Sequence, residues 1–177
     1  MASDIKQLLQ MELQDTYSAE TQILEALPKM QEAASSQGLK QAFQTHLQQT
    51  QRQVERLERV CKMLGIDPEG ETCEAMEGLV EEGEEIMDEF DEGPVLDAAL
   101  IAAAQKVEHY EIAAYGTLCT MLKGMGETQA ATVLHETLEE EKQTDQLLTN
   151  LAESEVNPAA IGKAAANDPK GGSRGAA

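Results

Sequence analysis

Apolar and small side chains return every three or four positions through four long stretches of this chain, and that period constrains its fold most. The first line is Ile5, Leu9, Leu13, Thr16, Ile23, Leu27 and Met30. The second is Leu39, Phe43, His46, Thr50, Leu57, Val60 and Leu64, completed by Gln53 or Val54. A third stretch follows Gly93-Pro94 and is almost uniformly apolar from Val95 to Ala104, so deep burial is expected. The fourth runs from Thr128 to Leu151. The punctuation agrees with helix ends. Ser3 is a plausible N-cap with Asp4 behind it, Gly65 is a C-terminal stop, and Pro94 suits a first turn. Pro28 marks a kink or a new turn, residues 33–38 a connection, and Gly124 and Gly126 a close. The chain is rich in Ala, Leu, Glu, Gln and Met, and its aromatic content is 3%, which favours helix over strand.

Residues 67–92 differ from the rest. They hold 13 acidic residues and no Lys or Arg, yet Ala75, Met76, Leu79, Val80, Ile86, Met87 and Phe90 keep an apolar stripe. The reading is an acidic amphipathic crossover helix over about residues 72–91, interrupted by Gly78 and Gly83. A weak repeat flanks it. An offset of 91 residues places Glu20 on Glu111, Leu27 on Leu118, Met30 on Met121, Leu47 on Leu138, Gln49 on Glu140 and Leu57 on Leu148. Two related hairpins joined by a long crossover describe an all-α, ferritin-like up-down four-helix bundle over residues 1–155. Residues 156–177, rich in Ala, Gly and Lys, read as a disordered tail.

The chain carries 33 acids against 13 bases, a formal charge of −20. That balance repels phosphate backbones and anionic membranes, so neither nucleic acid nor a membrane is an expected partner. No stretch reaches the ~18 apolar residues of a membrane span, and the start lacks a signal-peptide core. Cys61, Cys73 and Cys119 are odd in number and lack metal-binding spacing, which points to a reducing cytoplasm.

Several polar residues fall on the apolar lines, where burial is costly. Glu20 faces inward on the first helix and His46 on the second. Glu108 and Glu111 stand three apart on one face of the third, and Glu141 with Asp145 on the fourth. Anions gathered in a dry core either take up protons or are compensated by a cation. A carboxylate cluster with an imidazole suits Fe, Mn or Zn. The plain alternatives are a partly solvated seam for the carboxylates and a satisfied core position for His46. The dinuclear pattern of a Glu from each of two helices plus two Glu-x-x-His motifs is incomplete. Position 49 is Gln and position 144 is Thr. The repeat also makes Glu140 a rival to Glu141. His109 and His135 fall off the lines. Tyr17 and Tyr115 read as packing residues, either able to hydrogen-bond a buried carboxylate.

The segments QTHLQQTQRQVERLERV, CEAMEGLVEEGEEI, GPVLDAALIAAAQKVEHYEIAAYGTL and LEEEKQTDQLLTNLA resemble the YciE/YciF-type family of ferritin-like stress proteins, across residues 4–153. The resemblance implies a rubrerythrin-like bundle with an extra crossover helix, a homodimer, and a role in general or osmotic stress. It also implies metal-ligand roles for Glu20, His46, Glu108, Glu111 and Glu141. Gln49 stands where members often carry Glu, which lowers the negative charge available to a second ion. Gln53 could ligate through its carbonyl oxygen or simply satisfy the core.

Two functions follow. One is a di-iron or di-manganese centre acting on peroxide or O2. With no four-cysteine rubredoxin-type domain to donate electrons, dismutation is its coherent form. The other is a non-enzymatic dimeric stress or interaction protein with an incomplete metal site. Cage-like iron storage is a weaker third, because the long crossover does not suit a cage.

Overall fold

The computed structural model describes residues 4–167, and among them every regular element is helical. Helix α1 spans Ile5–Ala33, α2 Gln37–Leu64, α3 Glu74–Glu89, α4 Pro94–Gly124 and α5 Thr128–Leu151. The chain then makes a π-helical turn at Ala152–Val156 and a last helix, α6, at Asn157–Asn167. The hairpins α1–α2 and α4–α5 pack α2 on α5 and α1 on α4, closing a ring of four long helices. Helix α3 lies outside that ring, across the seam between α1 and α4. No helix among the described residues is long and apolar enough to cross a membrane.

Local chemistry sets the boundaries. The first N-cap is Asp4, one residue later than expected: its Oδ1 accepts the Gln7 N–H at 2.9 Å. Pro28 sits inside α1 without ending it. Ser36 caps α2, accepting the Leu39 N–H at 3.2 Å. Asp97, buried in the first turn of α4, accepts the Ser35 and Ser36 N–H groups at 2.6 and 3.0 Å. One carboxylate thereby ties the α1–α2 turn to the start of the second hairpin. Gly65 ends α2 at φ 70°, a left-handed conformation that a side chain would strain.

Two expectations are corrected. Gly78 and Gly83 do not interrupt α3, because its apolar stripe packs on α1 and α4 and its other residues favour helix. The segment after 155 is not wholly without structure: α6 reaches Asn167. Its sequence NPAAIGKAAAN is dominated by Ala, the best helix former, and Val156 anchors its start in the core. The wide turn precedes Pro158, whose ring would crowd the Ser154 carbonyl in an unbroken α-helix. Residues 168–177 lie outside the described residues.

The interior has three layers. Ile23, Leu27, Leu39, Phe43, Leu100 and Leu148 belong to an apolar cluster at one end. Leu13, Leu57, Val60, Leu118 and Leu134 belong to another at the opposite end. Between them lies a buried polar layer that includes Thr16, Glu20, His46, Thr50, Gln53, Glu108, Glu111, Thr137, Glu141 and Thr144.

Candidate metal centre

Each side chain of that layer occupies an apolar-line position of its own helix, so forming the bundle brings them together. Glu20 comes from α1, His46 and Gln53 from α2, Glu108 and Glu111 from α4, and Glu141 from α5. None is more than 3% exposed. His46, Glu108, Glu111 and Glu141 each offer one ligand atom, and these four atoms lie within 4.8 Å of one another. His46 Nδ1 stands 3.1 Å from Glu108 Oε1, and its Nε2 stands 3.4 Å from Glu141 Oε2. The imidazole thus lies between carboxylates of both halves of the second hairpin.

These approaches lack hydrogen-bond geometry. Both oxygens of Glu108 and of Glu111, Oε2 of Glu20 and of Glu141, and His46 Nε2 have no hydrogen-bond partner among the described residues. Orphan acceptors at this depth are costly. Burial pushes Glu20, Glu108 and Glu111 well above the usual carboxylate range, and the nearby charge of Glu141 adds to the effect in all three. The layer therefore takes up protons unless a cation takes their place.

The surrounding groups fix orientation. Tyr115, one turn beyond Glu111, donates a short hydrogen bond to Glu20 Oε1. Gln53 Nε2 donates to Glu141 Oε1 and, at 3.1 Å, to Glu140 Oε2. Arg56 grips both oxygens of Glu140, at 2.6 and 2.9 Å. Burial raises Glu140, but the hydrogen bonds and charge of Arg56 outweigh it and hold this carboxyl below its ordinary value.

This arrangement settles two open positions. Glu141 joins the layer, whereas Glu140 is neutralised by Arg56. On α2 the buried amide is Gln53, not Gln49, which is half-buried. Glu20 shares the layer and lies against Glu111, but outside the tight four-residue set. Asp145 is corrected. It is half-buried, accepts from Gln105 at 3.0 Å, and stands 3.4 Å from His109 Nε2 at the bundle surface. The buried line of α5 runs from Glu141 through Thr144 to Leu148, which leaves Asp145 at its edge. Sequence reasoning missed Arg56 and its pairing with Glu140. The available signal was a base one turn beyond the inward Gln53, on a helix predicted to pack beside the acid-rich 138–141 stretch.

A domain family of unknown function, DUF892, matches residues 4–161. The chain belongs to the DUF892 family. Within it, the chain is 51% identical over 153 residues to protein YciF of Escherichia coli strain K12, covering 86% of this chain and 92% of that protein. The crystal structure of YciF, described as an E. coli stress protein, matches with a TM-score of 0.85 at 48% identity, over 88% of this chain and 99% of that one. YcfI of Rhodopseudomonas palustris matches with a TM-score of 0.81 at 44% identity, over 83% and 94%. A two-domain protein of Anabaena variabilis with a ferritin-like domain shares the fold at 21% identity and a TM-score of 0.56, over 99% of this chain and 42% of that one. The bundle of this DUF892 member is ferritin-like, as its repeat and crossover imply.

Proposed function

We propose that the polar layer is a carboxylate/His metal centre for Fe or Mn, and that the protein serves a stress response by acting on peroxide or O2. The observation that supports this reading is the set of four ligand atoms within 4.8 Å, surrounded by buried carboxylate oxygens without donors. Such a layer is unfavourable empty and ionised, and a divalent cation suits its oxygen and nitrogen donors. His46, Glu108, Glu111 and Glu141 would hold one ion. Glu20, placed by Tyr115 beside Glu111, adds the carboxylate that a second ion needs.

A bound Fe or Mn ion would supply electron transfer to or from the small oxidant. The chain's own residues have separate tasks. Gln53 orients Glu141, Tyr115 orients Glu20, and Arg56 pairs with Glu140 beside the layer. The two apolar clusters exclude water at either end. The likeness to YciF, itself described as a stress protein, supports the physiological setting.

Elemental analysis of protein prepared without chelators tests the reading. One to two Fe or Mn per chain are expected, with loss in Glu108→Ala and peroxide consumption only by the loaded protein. Folded protein that takes up neither metal would refute the centre and leave a non-enzymatic stress protein as the reading.

A further inference from the structure

A partly open pocket of about 30 Å³ lies beneath α3 and reaches the edge of the polar layer. A buried water needs roughly 10–15 Å³ by a comparable measure, so the pocket has room for a diatomic molecule. Its walls are Ile23, Leu27 and Met30 of α1 with Leu79, Val80 and Met87 of α3. Toward the bundle, Ala26, Ala103 and Ala104 leave a gap where larger side chains would close the seam between α1 and α4. At the inner end of that gap stand His46 and Glu108. The roof is Gly83, buried on α3, where an added Cβ meets nothing within 4 Å. Ion pairs Lys29–Glu84 at 2.6 Å and Lys106–Glu82 at 2.7 Å tie α3 to the helices on either side.

We propose that this pocket admits and holds dioxygen on its way to the His46–Glu108 face of the centre. The inference rests on the metal reading above and narrows its substrate to a small apolar oxidant. Three features select that class. A hydrated metal ion would lose its water on these apolar walls, so ions reach the layer by another path. An anion is repelled by the acidic face of α3. Hydrogen peroxide needs hydrogen-bond partners on the way. Here the polar side chains stand only at the two ends, Lys29 and Glu84 at the exposed rim and His46 and Glu108 within, and the remaining walls are apolar. A neutral apolar diatomic loses nothing in the passage.

Xenon pressurisation of metal-free crystals probes the pocket without reference to any metal. Xenon should occupy the space beneath Gly83 in the unmodified protein and be absent from Gly83→Leu, whose side chain enters it. In protein loaded anaerobically with Fe(II), Gly83→Leu should leave the metal stoichiometry unchanged. It should slow O2-dependent oxidation at least tenfold, while the rate with hydrogen peroxide stays within twofold. Val80→Phe, which narrows the pocket from the wall, should act in the same direction and serves if Gly83→Leu does not fold. No xenon beneath Gly83, or unchanged O2 oxidation in a folded, blocked variant, would overturn the proposal. Failure of Fe(II) to bind at all would instead defeat the metal reading, and the xenon result would still decide whether the pocket takes an apolar diatomic.

Discussion

Glu111 shows how one residue serves site and fold in opposite senses. Its carboxyl is buried in the four-residue set, both oxygens lack a donor among the described residues, and burial holds it well above the ordinary carboxylate range. Substitution by Gln removes the charge and keeps the shape. In metal-free protein at pH 8, Glu111→Gln should be more stable than the unmodified protein, because a neutral amide avoids the cost of holding a charge in the dry core without a partner. The same variant should lose metal. Thermal melts with chelator present, set beside metal content, check both halves; a destabilised apo variant would show that the carboxylate is already satisfied. The choice of residues was largely legible in sequence, because Glu20, His46, Glu108, Glu111 and Glu141 all stand on apolar lines. Asp145 was misplaced because a spacing of three or four residues admits either Thr144 or Asp145 after Glu141, and packing turns Thr144 inward. Glu140 and Glu141 are neighbours in sequence, so only the position of Arg56 separates them.

At the scale of elements, the long helices were written in their period, and α3 was legible as a crossover from its acidic, striped sequence. Its continuity was not. Glycine lowers helix propensity wherever it occurs, and tertiary packing decides whether the helix survives. The two glycines of α3 differ in kind. Gly83 roofs the pocket, whereas Gly78 is exposed with nothing within 4 Å of an added Cβ. Gly78→Ala should therefore stabilise the protein by about 0.5–1 kcal/mol, which for a chain of this size is a rise of about 1–4 °C in Tm. Calorimetry reads it, and xenon uptake should not change. A fall in Tm would mean that α3 needs flexibility at this turn. The helix after Val156 was missed for a related reason: an Ala-rich run beside Gly and Lys reads as a tail when its anchoring side chain cannot be seen.

For the whole molecule, the charge of −20 divides into separate parts. The segment 67–92 holds 13 of the 33 acids, leaving 20 acids against 13 bases elsewhere. The crossover acids are largely solvated, whereas Glu20, Glu108, Glu111 and Glu141 divide the core. That division makes global stability depend on pH. An unfolded Glu titrates near ~4.3, while folding raises Glu20, Glu108 and Glu111 well above it. Between those values the folded chain binds more protons than the unfolded one, so the stability these groups give is complete below the unfolded value and is lost as pH rises. Glu140, held low by Arg56, has the opposite sign, but its effect is confined to acid below its ordinary value. Metal-free protein should therefore melt at a lower temperature at pH 8 than at pH 5.5. Adding Mn(II) at about 100 times its Kd should restore ~2.7 kcal/mol, and by displacing protons it should bind more tightly as pH rises. Calorimetric titration in buffers of different ionisation enthalpy counts the protons released. Release near pH 6 that disappears in the Glu108→Ala variant would place those protons on the layer, whereas uptake without release would place the ion among the solvated acids of α3.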